Sequence, residues 1–297
     1  MSAASKRRWL TLVTTPSYAA GVVALSLSLE AVGSRARLLA LTTNAATRDA
    51  ILAEASRDGF PRPQRLDVLV MDGVELPASA SAATHGARGA TLAVDAPRRA
   101  LWALGASFAL LDADLIALQN PDVLLDLLDD TASGAAALHA VPAFRLKKQS
   151  FGAAAEGGGF NAGVLLVRDP AASDARELAA LVEGAGDDDT EESLLNKLFR
   201  GRWSELPRGF NVPKRVLVHA PKLWRELVSG REVVFLHYLG AKPWMSDANV
   251  RRGADWEAER PEYAALEGIW GQVRKGVAVA ADGTLLHLLA GLDTPVT

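Results

Sequence analysis

Phe108-Ala109-Leu110-Leu111-Asp112-Ala113-Asp114-Leu115-Ile116-Ala117 is an apolar run interrupted by two carboxylates that a single small residue separates. In a strand, side chains at i and i+2 share a face, so Asp112 and Asp114 can lie together at the end of a buried strand. Carboxylates held that close repel each other, and a bound cation relieves the repulsion. Open α/β sheets bind their ligands at the carboxyl ends of the strands. The pattern points to a hard divalent metal with a phosphate-bearing ligand. The plainer alternative is a pair of loop aspartates that cap the strand end and the next helix.

Outward from this stretch, the first half of the chain alternates. Leu10–Thr14 reads as a short buried strand. Thr15-Pro16 then starts a helix through about Glu30, with Tyr18, Val22, Leu25 and Leu29 on one face. Arg37–Thr42 is a second strand, Ala46–Ser56 a second helix, Asp67–Met71 a third strand and Ala96–Gly105 a third helix. This βαβ rhythm predicts an α/β fold with a parallel sheet and helices on both faces. The second half is less regular: Pro121–Leu128 helical, Ala135–His139 extended, Lys147–Gly159 a Gly- and Ala-rich loop, Asn161–Val167 a strand. Ala172–Val182 and Thr190–Arg200 read as helices, and Val233–His237 as a late strand. No linker or repeat divides the chain. One domain over residues 1–270 is expected, with a nucleotide-binding half at 9–117, an acceptor-side half at 118–270 and a tail at 271–297.

Composition narrows the classes. The 297 residues are 49% hydrophobic and carry a net charge of −3, without the basic excess that nucleic acid demands. Cysteine is absent, which excludes disulfides, thiolate catalysis and Cys-ligated zinc. Lys6-Arg7-Arg8 before Trp9–Val13 imitates a signal peptide, but Thr14-Thr15-Pro16-Ser17 breaks the apolar stretch at once. No run approaches the roughly 18 apolar residues of a membrane helix, so no membrane span and a cytoplasmic location are expected.

Three further clusters carry chemistry. In Val233-Val234-Phe235-Leu236-His237-Tyr238-Leu239-Gly240-Ala241-Lys242-Pro243-Trp244 a strand ends on a histidine. His237 can complete a metal's coordination, Gly240 lets backbone approach a phosphate, and Lys242 supplies charge to a diphosphate. A core histidine followed by a surface lysine is the bland alternative. Gly157-Gly158-Gly159-Phe160-Asn161-Ala162 matches a dinucleotide fingerprint in form only, since a strand and not a helix follows it. Asn161 at its hinge suits a sugar hydroxyl or the turn backbone. The acidic run Asp187-Asp188-Asp189-Thr190-Glu191-Glu192 reads first as a helix start, with Asp189 and Glu192 forming a capping box.

Taken in order, these pieces resemble the glycosyltransferase family that contains glycogenin and galactinol synthase, family 8. The resemblance begins at Leu12-Val13-Thr14-Thr15-Pro16-Ser17-Tyr18 and continues through Arg98-Arg99-Ala100-Leu101-Trp102 and Leu110–Asp114. It resumes at Gly159-Phe160-Asn161-Ala162-Gly163-Val164, Glu191-Glu192-Ser193-Leu194-Leu195-Asn196 and Gly209-Phe210-Asn211, and closes at His237–Trp244. It implies a GT-A fold, a Rossmann-like and mostly parallel central sheet flanked by helices. It also implies a UDP-sugar donor, Mn²⁺ or Mg²⁺, and transfer of a hexose to an unidentified acceptor with retention of configuration.

Carried over, Asp112, Asp114 and His237 hold the metal. Leu12, Thr14, Thr15 and Tyr18 surround the uracil, and Gly240 and Lys242 grip the diphosphate. Asn161, Ala162, Asp188, Glu191 and Glu192 face the donor sugar, with Glu191, Asn161 and Asp188 in the catalytic roles. Arg98 and Ala113 complete the donor-binding set. The chain departs from the family in three places: Arg98 replaces a lysine, Thr15 an asparagine, and Glu191-Glu192 an Asp-Gln pair. Self-glucosylation is not expected, because two of its three tyrosines, Tyr18 and Tyr238, fall inside the matched motifs and nothing singles out Tyr263. The oligomeric state is open, with a homodimer among the options. Two other functions are weighed. One is a UDP-sugar binder that has lost turnover through Glu191-Glu192. The other is a haloacid-dehalogenase-type phosphatase, whose D-x-D normally lies near the N-terminus and leaves the His237–Trp244 cluster unexplained.

Overall fold

The computed structural model describes residues 7–71, 101, 106–129, 137–144, 158–186, 189–246, 260–290 and 292. The helix expected over residues 96–105 lies outside them except for Leu101, as does the loop from 147 to 157. Strand β1 (Arg8–Val13) leads through a single 3-10 turn at Pro16–Tyr18 into helix α1 (Ala19–Ala31). Next come β2 (Arg37–Thr42), α2 (Ala45–Ala55), β3 (Leu66–Val70), β4 (Phe108–Leu111), β5 (Leu115–Ala117) and α3 (Val123–Asp129). The second half supplies β6 (Leu138–Pro142), β7 (Phe160–Val167), α4 (Ala172–Glu183), α5 (Glu191–Leu198), β8 (Trp203–Glu205), β9 (Val212–Pro213), α6 (Val216–His219), α7 (Pro221–Ser229), β10 (Phe235–His237) and α8 (Pro261–Arg274).

Seven strands form one sheet in the order β3-β2-β1-β4-β7-β6-β8. β4 pairs parallel with β1 and antiparallel with β7, so strands from both halves of the sequence share one hydrogen-bonded sheet. The pairings β1–β2, β2–β3 and β6–β8 are also parallel, which makes the sheet mostly parallel as expected. The central strands read as continuous apolar runs because helices cover both of their faces. All four residues of β4 are buried, and so are seven of the eight in β7.

Helix α1 departs from the one-faced pattern. Every residue from Gly21 to Leu29 is buried, because the sheet, α2, β5 and α8 enclose it on several sides. Its small and apolar composition all round is what such an enclosed position requires. Residues beyond 270 contribute to the core as well. Val273 on α8 is buried, Leu285 donates its N–H to the Leu118 carbonyl at 2.8 Å, and Leu286 and Leu289 are buried. Among the described residues no helix is long and apolar enough to cross a membrane.

A second, three-stranded sheet, ordered β5-β10-β9, was not evident from the sequence. β10 falls within the strand expected over Val233–His237, but β5 and β9, three and two residues long, are too short for periodicity to declare them. This sheet nevertheless builds the site. β4 belongs to the large sheet and β5 to the small one, so the residues between them bridge the two.

Candidate functional site

Asp112, Ala113 and Asp114 are those bridging residues. The strand ends at Leu111, and a turn closed by the Leu115 N–H on the Asp112 carbonyl (3.3 Å) carries both aspartates. The carboxylates therefore converge through a turn and not through strand alternation. Asp112 stays tied to the large sheet, its N–H donating to the Gly163 carbonyl of β7 at 2.8 Å. Leu115 opposes His237 in the antiparallel β5–β10 register, and the Tyr238 N–H donates to the Asp114 carbonyl at 2.9 Å. This register sets His237 beside Asp114.

Ligand atoms of Asp112, Asp114 and His237 all lie within 4.8 Å of one another. His237 Nε2 is 3.1 Å from Asp114 Oδ1 and 3.8 Å from Asp112 Oδ2. That nitrogen is buried and makes no hydrogen bond. Gly163 leaves the room the imidazole occupies: a Cβ there would fall 2.5 Å from His237 Cε1. A buried imidazole nitrogen facing two carboxylates, with no hydrogen bond of good geometry, is a donor set that suits a divalent cation.

Lys242 closes the site from behind. Its buried Nζ forms an ion pair with Asp114 Oδ2 and donates to the Tyr238 carbonyl at 3.0 Å. Burial pushes the Asp114 carboxyl upward, but the Lys242 ammonium outweighs it and holds the carboxyl well below the usual carboxylate range. Burial draws the Lys242 ammonium down, yet the Asp114 charge prevails and raises it above its ordinary value. The loop that brings Lys242 here turns at Gly240, whose φ of +78° is a left-handed conformation that favours glycine. Buried Lys214 braces the same loop, donating from Nζ to the Ala241 carbonyl at 2.7 Å.

On the β7 side, Asn161 Nδ2 donates to Glu192 Oε2 at 2.7 Å, and the Ala162 N–H reaches the same oxygen at 3.2 Å. Asn196, one helical turn after Glu192, exchanges hydrogen bonds with the Phe160 backbone at 2.8 and 2.9 Å and pins the start of β7 to α5. The capping box differs from the expected one. Thr190 is the N-cap, and Ser193 is its reciprocal partner at 3.2 and 3.0 Å. Asp189 instead receives Ser193 Oγ and pairs with Lys197, so Glu192 is left to face Asn161. Glu191 opens α5 next to it.

The remaining expected residues distribute unevenly. Leu12 and Thr14 lie at the carboxyl end of β1 and are half-buried, whereas Thr15 is exposed. The Thr14 carbonyl accepts from Asn44 Nδ2 at 3.3 Å, which secures the β1 terminus against α2. Tyr18 turns toward the other end of the motif chain. Its ring meets Trp244 edge-on at 5.8 Å, Lys242 Nζ stands 5.7 Å from its centroid, and burial pushes its phenol up. Ala113 is buried within the aspartate turn. Arg98 and Asp188 lie outside the described residues. Asn211, quoted within a motif but given no role, proves to be buried and bonded to both His237 and Asn161.

Comparison with known proteins bears on the fold and on the family profile. The profile described as "Glycosyl transferase family 8" matches residues 109–248, from β4 through the loop that carries Lys242 and Trp244. No protein of curated function matches the chain. The galactosyltransferase LgtC, solved with donor and acceptor sugar analogs, superposes with a TM-score of 0.55 at 23% identity, covering 88% of this chain and 95% of LgtC. The glycosyltransferase GlyE of Streptococcus pneumoniae TIGR4 gives 0.53 at 19% identity, covering 93% of this chain and 66% of GlyE. The bifunctional WbbM gives 0.57 at 14%, covering 92% of this chain and 52% of WbbM. At these identities the likeness establishes the fold, the mixed α/β GT-A arrangement that the motifs imply. The resemblance is thus borne out, and this chain carries the glycosyl transferase family 8 signature over residues 109–248.

Proposed function

We propose that this protein is a divalent-metal-dependent glycosyltransferase that moves a hexose from a UDP-sugar to an acceptor with retention of configuration. The observation that carries this reading is the convergence of Asp112, Asp114 and the unsatisfied His237 Nε2 at the sheet's ligand-binding edge, with Lys242 directly behind. Asp112, Asp114 and His237 would hold the cation. What a bound Mn²⁺ or Mg²⁺ supplies there is neutralisation of the charge that develops on the UDP leaving group. Lys242 adds a second positive charge on the same side, and Gly240 opens the backbone of its loop to the diphosphate. Leu12, Thr14, Thr15 and Tyr18 take the base. Asn161, Ala162, Glu191 and Glu192 lie on the donor-sugar side, together with Asp188, while Arg98 and Ala113 complete the donor set. Front-face displacement needs no strong protein nucleophile, which suits a site of carboxylates and amides.

Titration calorimetry with UDP, with and without Mn²⁺, tests the proposal. Metal-dependent UDP binding is the expected result, and a chain that binds no UDP in either condition would refute it. Hydrolysis rates with UDP-glucose, UDP-galactose, UDP-N-acetylglucosamine and UDP-glucuronate then identify the donor. Metal-dependent binding without hydrolysis or transfer of any donor would instead mark a UDP-sugar binder.

The acceptor side is proposed at a cavity of about 260 Å³ lined by Phe144, Gly159, Trp203, Glu205 and Arg208 among others. β6 ends and β7 begins beside it, so it opens at the same edge of the sheet as the carboxylates. An aromatic wall with a carboxylate and a guanidinium suits a sugar's apolar face and hydroxyls. Trp203→Ala is expected to raise the acceptor KM by roughly tenfold. Metal-dependent UDP affinity, read by the same calorimetry, should not change.

A further inference from the structure

Asn211 is wholly buried, and its contacts run in one direction only. Its Oδ1 lies 2.8 Å from His237 Nδ1, and its Nδ2 donates to Asn161 Oδ1 at 2.6 Å. Asn161 passes the pattern on, donating from Nδ2 to Glu192 Oε2 at 2.7 Å. Two backbone groups fix the polarity. The Gly163 N–H donates to Asn161 Oδ1 at 3.0 Å, and the Ala162 N–H to Glu192 Oε2 at 3.2 Å. A backbone N–H can only donate, so Asn161 must turn its carbonyl oxygen toward Gly163 and Asn211. Asn211 must then meet that oxygen with its amide nitrogen, which aims its own oxygen at the imidazole. His237 Nδ1 has to carry the proton that this oxygen accepts. In the neutral ring Nε2, the nitrogen facing Asp112 and Asp114, is then the one that presents its lone pair.

We propose that Asn211, locked by Asn161 and Glu192, is a positioning residue that holds His237 as its Nδ1–H tautomer and so aims Nε2 at a divalent cation. The inference rests on reading Asp112, Asp114 and His237 as a metal site. Metal-bound histidines usually donate their second ring N–H to a carbonyl or carboxylate, which fixes ring orientation and tautomer. Here a neutral amide fills that role, and the chain of hydrogen bonds ends on Glu192 beside the proposed donor sugar. Only an acceptor oxygen is required at that end. Glu192→Gln keeps one, whereas Asn211→Leu deletes the link with little change of shape.

The test uses the full chain, Mn²⁺ alone as the probe in calorimetry, and ¹⁵N–¹H long-range correlation of histidine-labelled protein without metal. A protonated-type Nδ1 signal together with an unprotonated-type Nε2 signal is expected for His237 in the wild type at alkaline pH, giving way to mixed tautomers in Asn211→Leu. Mn²⁺ affinity should fall by roughly tenfold or more in Asn211→Leu and stay within about threefold of wild type in Glu192→Gln. An unprotonated Nδ1 in the wild type, or equal Mn²⁺ affinity in wild type and Asn211→Leu, would overturn the inference. The wild-type nitrogen signal decides the matter even if Asn211→Leu fails to fold. A wild type that binds no cation but keeps a protonated Nδ1, lost in Asn211→Leu, would refute the metal reading and leave the tautomer lock standing.

Discussion

Asp114→Asn is expected to abolish metal-dependent UDP binding and to lower turnover by roughly a hundred- to a thousandfold. Both faces of this carboxylate are engaged, Oδ1 toward His237 Nε2 and Oδ2 on Lys242. An amide of the same shape removes half the negative charge that Asp112 and Asp114 offer a cation. It also strands the Lys242 ammonium, whose side chain is only 8% exposed, without its counter-charge. Breaking a buried ion pair from one side costs about 3–5 kcal/mol, so denaturant unfolding should register a loss of that order alongside the loss of binding. Retained metal-dependent UDP binding in Asp114→Asn would remove this residue from the proposed metal site.

Lys242→Met carries the second large effect, and its dependence on pH has a definite sign. At neutral pH the variant keeps a buried Asp114 carboxylate without its cation, and is expected to be less stable than wild type by about 3 kcal/mol. In the wild type the Asp114 pKa is depressed by folding. A depressed carboxyl stabilises the fold above its unfolded value, about 3.9, and that contribution is lost as pH falls further. Lys242 shifts the opposite way, and its contribution is complete below its unfolded value and lost only in strong alkali. The gap between wild type and Lys242→Met should therefore be widest near neutrality and narrow progressively as pH falls from about 4 toward the depressed folded value of Asp114, where its protonation removes the pairing in the wild type as well. Unfolding curves at neutral and acid pH measure it, and a gap that widens on acidification would contradict the pairing. The double variant Asp114→Asn with Lys242→Met leaves neither charge stranded. It should lose less stability than the two single losses added together.

Much of the large sheet is visible in the amino-acid order because its strands are long enough, or apolar enough, to declare themselves. Phe108–Leu111 and the run read at Asn161–Val167 are short and apolar, the pattern of a strand covered on both faces. The helical stretches after Pro16, Asn44 and Thr190 carry their own start signals, although Ser193 and not Glu192 completes the Thr190 cap. Identification of Asp112, Asp114, His237 and Lys242 as one constellation rested on motif order, since 123 or more residues of sequence separate the aspartates from the histidine and lysine.

Composition and spacing along the chain were sufficient for the α/β class, the strand that runs up to two aspartates and the late histidine–glycine–lysine cluster, because each is a local pattern with a local physical cause. What needed three dimensions is everything that depends on register between distant segments. The β5–β10 pairing puts His237 beside Asp114, and Gly163 is small because an imidazole fills the space above it. The line from Glu192 through Asn161 and Asn211 to His237 Nδ1 crosses four separate segments. Hydrogen-bond polarity along such a line is set by backbone N–H groups whose positions exist only in the folded sheet, and no one-dimensional pattern encodes it.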